Sequence, residues 1–200
     1  MWNPVVIDTA LRGYPIEVRL FGLLSFVFSA IVHLRFIVAM VKGTLPPPPR
    51  SSWFLYMALD VVILGSQLSN GILDPMMIEY NIGTLAVALF TLKYGYATWS
   101  KLETGCSIFV GISIALYLSV GPLAATACAL AGISAASLPI LKKVLVEKKQ
   151  EDLLAWALAV TATFCSLLDG HLITGIWLIL LQGTIAIAVT RLRFNQKTRG

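Results

Sequence analysis

His33, Arg35 and Asp60 are ionisable side chains set in apolar sequence. A charged group inside lipid is costly, and it usually faces a bundle interior or a water-filled path. At 1.5 Å per residue, Arg35 lies about 9 Å and Asp60 about 10 Å from the same side of their helices, with His33 two residues deeper. The three share one level. Three chemistries are open to them. Arg35 and Asp60 pair and hold the first two helices together. Alternatively, Arg35 snorkels to the headgroups while Asp60 bonds Ser or Tyr hydroxyls. In the third, His33 titrates beside Asp60 as part of a proton- or substrate-linked gate, imidazole being the usual titrating group near neutral pH.

Other polar residues are sparser. Asn81 and Gln182 place amides inside apolar segments, each just before a Gly-Thr pair. Asn70-Gly71 and Asp169-Gly170 suit helix ends and turns, with His171 beside the second pair at the interface. Trp2, Trp53 and Trp99 fit an interfacial aromatic belt. Trp156 and Trp177 either anchor at an interface or flank a pocket. Gly83-Thr84, Gly183-Thr184, Gly111 and Gly132 let helices approach closely. Cys106, Cys128 and Cys165 lie in apolar runs without metal-ligand spacing and read as small buried hydrophobes. There is no nucleophile elbow, no metal-binding spacing and no phosphate-binding glycine loop, so neither an enzyme, a metal site nor a bound cofactor is expected.

The elements that position these groups follow from composition. The chain has 200 residues, 58% hydrophobic and 12% charged. Its mean hydropathy is +0.83. Soluble domains carry about 25% charged residues. The expectation is an all-α integral membrane protein, with the lipid bilayer as its first partner and no role for nucleic acid despite a formal charge of +5. Spanning helices need about 20 mostly apolar residues. Seven segments qualify: 20–41, 53–72, 77–97, 104–121, 123–141, 153–169 and 172–190. Residues 1–19 read as an interfacial approach without a cleavable signal peptide, and 191–200 as a cytoplasmic tail. Pro46 to Pro49 form an extended spacer, and Gly121-Pro122 a tight turn.

Charge sets the expected orientation. With seven spans, one side holds Lys42, Arg50, Lys93, Lys101, Lys142, Lys143, Lys148, Lys149, Arg191, Arg193, Lys197 and Arg199, while the other holds Arg12 and Arg19. Basic residues favour the cytoplasmic side, which places the N-terminus outside and the C-terminus inside.

The chain also repeats itself. Leu55 to Val61 lies over Leu154 to Val160, and Leu68-Ser69-Asn70-Gly71 over Leu167-Leu168-Asp169-Gly170. After one inserted residue, Gly83 to Ala88 lies over Gly183 to Ala188. Two three-helix units, 20–97 and 123–190, separated by one connecting helix, 104–121, have the same direction in the membrane. This is a 3+1+3 parallel repeat, and such repeats commonly hold a substrate at their interface near the midplane.

That plan, with Pro46 to Trp53 (PPPPRSSW) between the first two helices and Ser137-Leu138-Pro139-Ile140-Leu141-Lys142-Lys143 followed by Asp152-Leu153-Leu154-Ala155-Trp156, resembles the SWEET and PQ-loop superfamily. It is similar in particular to bacterial seven-helix membrane proteins of that arrangement, and more distantly to PnuC-type vitamin transporters. The signature Pro-Gln pair is absent: Ile140 follows Pro139, and the first helix has no proline. The resemblance implies a small-solute transporter or facilitator in a bacterial cytoplasmic membrane. It implies that Asn81 and Gln182 hold a sugar- or nucleoside-like solute and that Pro139 is a hinge. On this reading Trp156 or Trp177 stacks on the solute and His33, Arg35 and Asp60 form the inner gate. The competing expectation is a non-transport membrane protein, a sensor or lipid-binding subunit of an assembly. Either could be a homo-oligomer or bind a protein partner.

Overall fold

A backbone in lipid must satisfy its own hydrogen bonds, and apolar runs this long do so as helices. The computed structural model describes residues 16–44, 48–97, 99, 101–146 and 152–197, without the side chains of 16–19, 102, 139, 142, 143, 193 and 195–197. The described residues form seven helices: α1 Ile16–Lys42, α2 Arg50–Ser69, α3 Pro75–Tyr94, α4 Lys101–Ser119, α5 Pro122–Leu145, α6 Leu153–Leu168 and α7 Leu172–Lys197. Four stretches among them are long and apolar enough to cross a membrane: Leu20–Lys42, Arg50–Ser69, Pro75–Tyr94 and Leu172–Leu192. Glu103–Ser119, Pro122–Leu138 and Leu153–Leu168 are shorter apolar stretches.

The helix ends follow local chemistry. Asp74 caps α3, its Oδ1 accepting from the Met76 N–H at 3.0 Å, with Pro75 in the first turn. Asp152 caps α6 by accepting from Leu154 and Ala155. Asn70 and Asp169 end α2 and α6, and the following Gly71 and Gly170 adopt φ of 70° and 100°, as their sequence predicts. Pro49 has the extended values φ −68° and ψ 130°. It also makes an isolated parallel bridge to Tyr96, so the start of α2 is tied to the end of α3. Helix α2 therefore begins at Arg50, before the expected Trp53, and α7 runs past the expected end at Thr190. Trp2, Pro46, Pro47, Lys148 and Lys149 lie outside the described residues.

The packing order differs from the chain order. Helix α1 packs on α3 and α6, and α3 lies between α1 and α2. Helix α7 likewise packs on both α5 and α6; α2 also packs on α5, and α4 packs on α2 and α5. Lipid tails are as apolar as leucine, so close packing rather than burial from water selects these neighbours. The α1–α6 contact illustrates this: Ser25, Ser29, Val32, Ala155 and Ala159 are all buried, and small side chains allow the helices to approach closely. Leu59 and Ile63 of α2, Met76 and Met77 of α3, Leu130 and Ile133 of α5, Ala162 of α6 and Leu178 of α7 form one apolar core. Large apolar side chains such as Leu23, Leu34, Ile82, Leu89, Ile108, Leu180 and Ile187 face outward. A water-facing surface rarely carries so much apolar area, and a lipid-facing one requires it.

Candidate functional site

Asp60 is ten residues into α2, and His33 nine residues before the end of α1. At 1.5 Å per residue both lie roughly 14–15 Å from their nearer end, close to mid-height. The earlier start of α2 puts Asp60 deeper than its sequence suggested. His33 Nδ1 is 3.1 Å from both Oε1 and Oε2 of Glu79 on α3 and 3.1 Å from the Ser29 carbonyl. A carbonyl only accepts, so Nδ1 carries a hydrogen, which it shares between the carbonyl and the Glu79 carboxylate. The ring packs over Gly83, where a Cβ would collide with it and would stand 2.7 Å from Glu79 Oε1. Asp60 is set against this pair from α2: the Asn81 amide of α3 donates to its carbonyl, and the Thr84 hydroxyl, whose hydrogen goes to the Tyr80 carbonyl, is beside its carboxyl. His33, Glu79 and Asp60 are 5%, 4% and 6% exposed.

Arg35 is not part of this cluster, which corrects the expected Arg35–Asp60 pair. Its Nε and Nη2 donate to Asp152 Oδ2 at 2.9 and 2.7 Å. The reason is the packing order. Helix α3 separates α1 from α2, whereas α1 lies directly against α6, whose first turn presents Asp152. The gate expected of His33, Arg35 and Asp60 is thus two separate sets, one at mid-height and one at the helix end.

The two amides also diverge. Asn81 donates both amide hydrogens to backbone, to the Met77 carbonyl at 2.8 Å and the Asp60 carbonyl at 3.2 Å, clamping α3 to α2. Gln182 instead spans helices: Thr163 of α6 donates to its Oε1 at 2.7 Å, and its Nε2 donates to the Tyr80 hydroxyl of α3 at 2.8 Å. Tyr80 stands edge-on to His33, with ring centroids 5.4 Å apart. A polar row therefore runs through Glu79, His33, Tyr80, Gln182 and Thr163.

Trp177 is 42% exposed and donates to Ser134 at 2.8 Å, on the outer surface of α5 and α7 and away from the row. Trp156 packs edge-on to Phe36, which in turn meets Trp53. The Trp156 Nε1 is buried without a hydrogen-bond partner. Pro139 lies within the continuous helix α5, and its side chain is outside the described residues. Of the small residues, Gly132 packs against Leu59 and Phe109, whereas Gly111 and Gly183 meet nothing within 4 Å.

A second polar set closes the other end of the bundle. Ser166 donates to both oxygens of Asp74 at 3.3 Å. Gln67 Nε2 lies 3.4 Å from Asp74 Oδ2 and from Thr174 Oγ1. His171 Nε2 is 3.3 Å from Asp169 Oδ2 and 3.9 Å from Asp74 Oδ1. Burial raises the Asp74 carboxyl above its ordinary range, and the neighbouring His171 and the Met76 N–H oppose that rise.

Glu79 and Tyr80 are the additions to the residues expected from sequence. A carboxylate inside 77–97 is itself a signal. Its place near the start of α3 kept it apart from the level shared by His33 and Asp60. Tyr80 gave no such signal, because an aromatic in a span is ordinary.

No family model, curated protein or solved structure matches this chain.

Proposed function

We propose that the protein is a transporter or facilitator for a small polar solute of sugar- or nucleoside-like chemistry. Seven spans form a 3+1+3 parallel repeat, with the N-terminus outside and the C-terminus cytoplasmic. Support for the repeat comes from three packing pairs that map onto three others when α1, α2 and α3 are exchanged for α5, α6 and α7, the minor α3–α6 contact having no counterpart. The α1–α3 pair becomes α5–α7, α2–α3 becomes α6–α7, and α1–α6 becomes α5–α2. Repeat register also sets Gln67 over Ser166 and Asp74 over Thr174, and these four side chains meet in one hydrogen-bonded set.

The observation that carries the reading is the Tyr80–Gln182–Thr163 row, which links α3 of one unit to α6 and α7 of the other. Buried hydroxyls and an amide in lipid are expensive unless bonded, and a hydroxylated solute could exchange into those bonds. Gln182 keeps the role expected of it, while Tyr80 takes the place expected of Asn81. Trp156 remains a stacking candidate through its unpartnered indole N–H. Uptake of labelled sugars and nucleosides into proteoliposomes tests this reading. A solute carried by the native protein should be lost in Gln182→Ala and Tyr80→Phe, and uptake unaffected by both removes the site.

One observation favours the non-transport reading: the apolar core of Leu59, Ile63, Met77, Leu130 and Leu178 joins both units. A fixed partner subunit would keep that core in every state. A thermal-shift screen in which no solute raises the melting temperature, together with recovery of a stoichiometric membrane partner, would support it.

A further inference from the structure

We propose that His33, Glu79 and Asp60 form an intramembrane binding site for one exchangeable proton, held on Asp60. The site goes beyond the transport reading and stands whether or not a solute crosses.

The argument is one of charge. Two carboxyls and one imidazole occupy the interior of α1, α2 and α3, each no more than 6% exposed. Nδ1 of His33 faces both oxygens of Glu79, so these two groups balance one another when the imidazole is charged. Asp60 then has no cation of its own. Its side-chain neighbour is the Thr84 hydroxyl, whose hydrogen goes to the Tyr80 carbonyl, so that oxygen can only accept, and what it can accept from at Asp60 is a proton-bearing carboxyl. An isolated charge in this setting is expensive and is neutralised by taking a proton.

Among the described residues the surrounding groups offer no substitute: α4, which packs on α2, carries Lys101 and Glu103 in its first turn and Cys106 and Tyr117 beyond it, and α5 carries Cys128 and, near its end, Lys142 and Lys143. On α1 the next cation, Arg35, is held by Asp152. On α3 the remaining ionisable neighbour is Tyr80, which accepts from Gln182. On α2 it is Tyr56, bonded to Ser137. Helix α6, which packs on α1, carries only Cys165 between Leu153 and Leu168. Gly83 fixes the geometry, because only a residue without a Cβ lets the His33 ring lie against α3 beside Glu79. The repeat sets the number: Ala159 lies over Asp60 and Ile179 over Glu79, so the second unit has no equivalent site.

Infrared spectra of the full-length protein in lipid nanodiscs, recorded across a pH titration, read the proton directly. A protonated-carboxyl C=O band that fades on alkalinisation is expected in the native protein, and the native-minus-Asp60→Asn difference should amount to one carboxyl per chain. Thr84→Val keeps Asp60 but removes the hydroxyl oxygen beside it, so the band should shift in frequency. Spectra of native protein and Asp60→Asn that superimpose would overturn the assignment, as would a band indifferent to Thr84→Val. Sodium added at constant pH should leave the band unchanged, and bleaching by sodium would mean that the site takes a metal cation instead. Solute flux is a separate measurement, so failure of the transport reading and failure of the proton site are distinguishable.

Discussion

Arg35 of α1 donates twice to a single carboxylate oxygen of Asp152, the residue that also caps the first turn of α6. One carboxylate thus ends a helix and fastens it to its neighbour. The Arg35 side chain is 38% exposed and that of Asp152 16%, so screening discounts the ion pair while the cap is retained. Asp152→Ala should therefore destabilise more than Arg35→Ala, by about the 1 kcal/mol a lost N-cap costs. Asp152→Asn should recover most of the difference. Equal melting losses for Arg35→Ala and Asp152→Ala in detergent would contradict this division.

Gly83 and Gly183, each opening a Gly-Thr-x-Ala stretch in the sequence, lie in different surroundings. A Cβ at Gly83 collides with the His33 ring, whereas at Gly183 nothing lies within 4 Å. Gly83→Ala should cost about 1–3 kcal/mol through overpacking. Gly183→Ala should be neutral or stabilise by up to about 1 kcal/mol through helix propensity. Denaturant unfolding of the two variants side by side measures the contrast; similar values would show that His33 does not need the glycine.

The Tyr80–Gln182 bond is interhelical and partly buried, so its removal should show as coupling in a double-mutant cycle. Such bonds in membrane proteins average about 0.6 kcal/mol. The expected outcome is that Tyr80→Phe and Gln182→Ala together destabilise less than the sum of the two single variants. Strict additivity would mean that the bond contributes nothing measurable.

Asp74 gives a pH dependence with a defined sign. Burial raises its carboxyl in the folded state above the ordinary 3.8. The native protein therefore holds that proton more tightly than the unfolded chain. The resulting stabilisation is complete below the unfolded value and is lost as pH rises through the folded one. Asp74→Asn should flatten that part of the melting curve against pH. His171→Ala should steepen it, since His171 opposes the rise. A slope unchanged in Asp74→Asn would assign it to another group.

Helix content, helix ends and the lipid-facing character were legible in the sequence because each depends on neighbours a few residues away. Apolar runs select helices in lipid, and Asn70-Gly71 and Asp169-Gly170 end two of them, whereas the Asp74-Pro75 start of α3, two residues before the expected 77, went unread. The identity of the buried polar residues His33, Asp60 and Gln182 was legible for the same reason: each interrupts apolar sequence. Their partners were not. Arg35 meets Asp152 across 117 residues, and Gln182 meets Tyr80 across 102. Those meetings depend on α3 lying between α1 and α2, and on the small faces of α1 and α6 that draw those helices together. The order in which helices pack is decided by shape complementarity over whole faces, which no local pattern of residue types encodes.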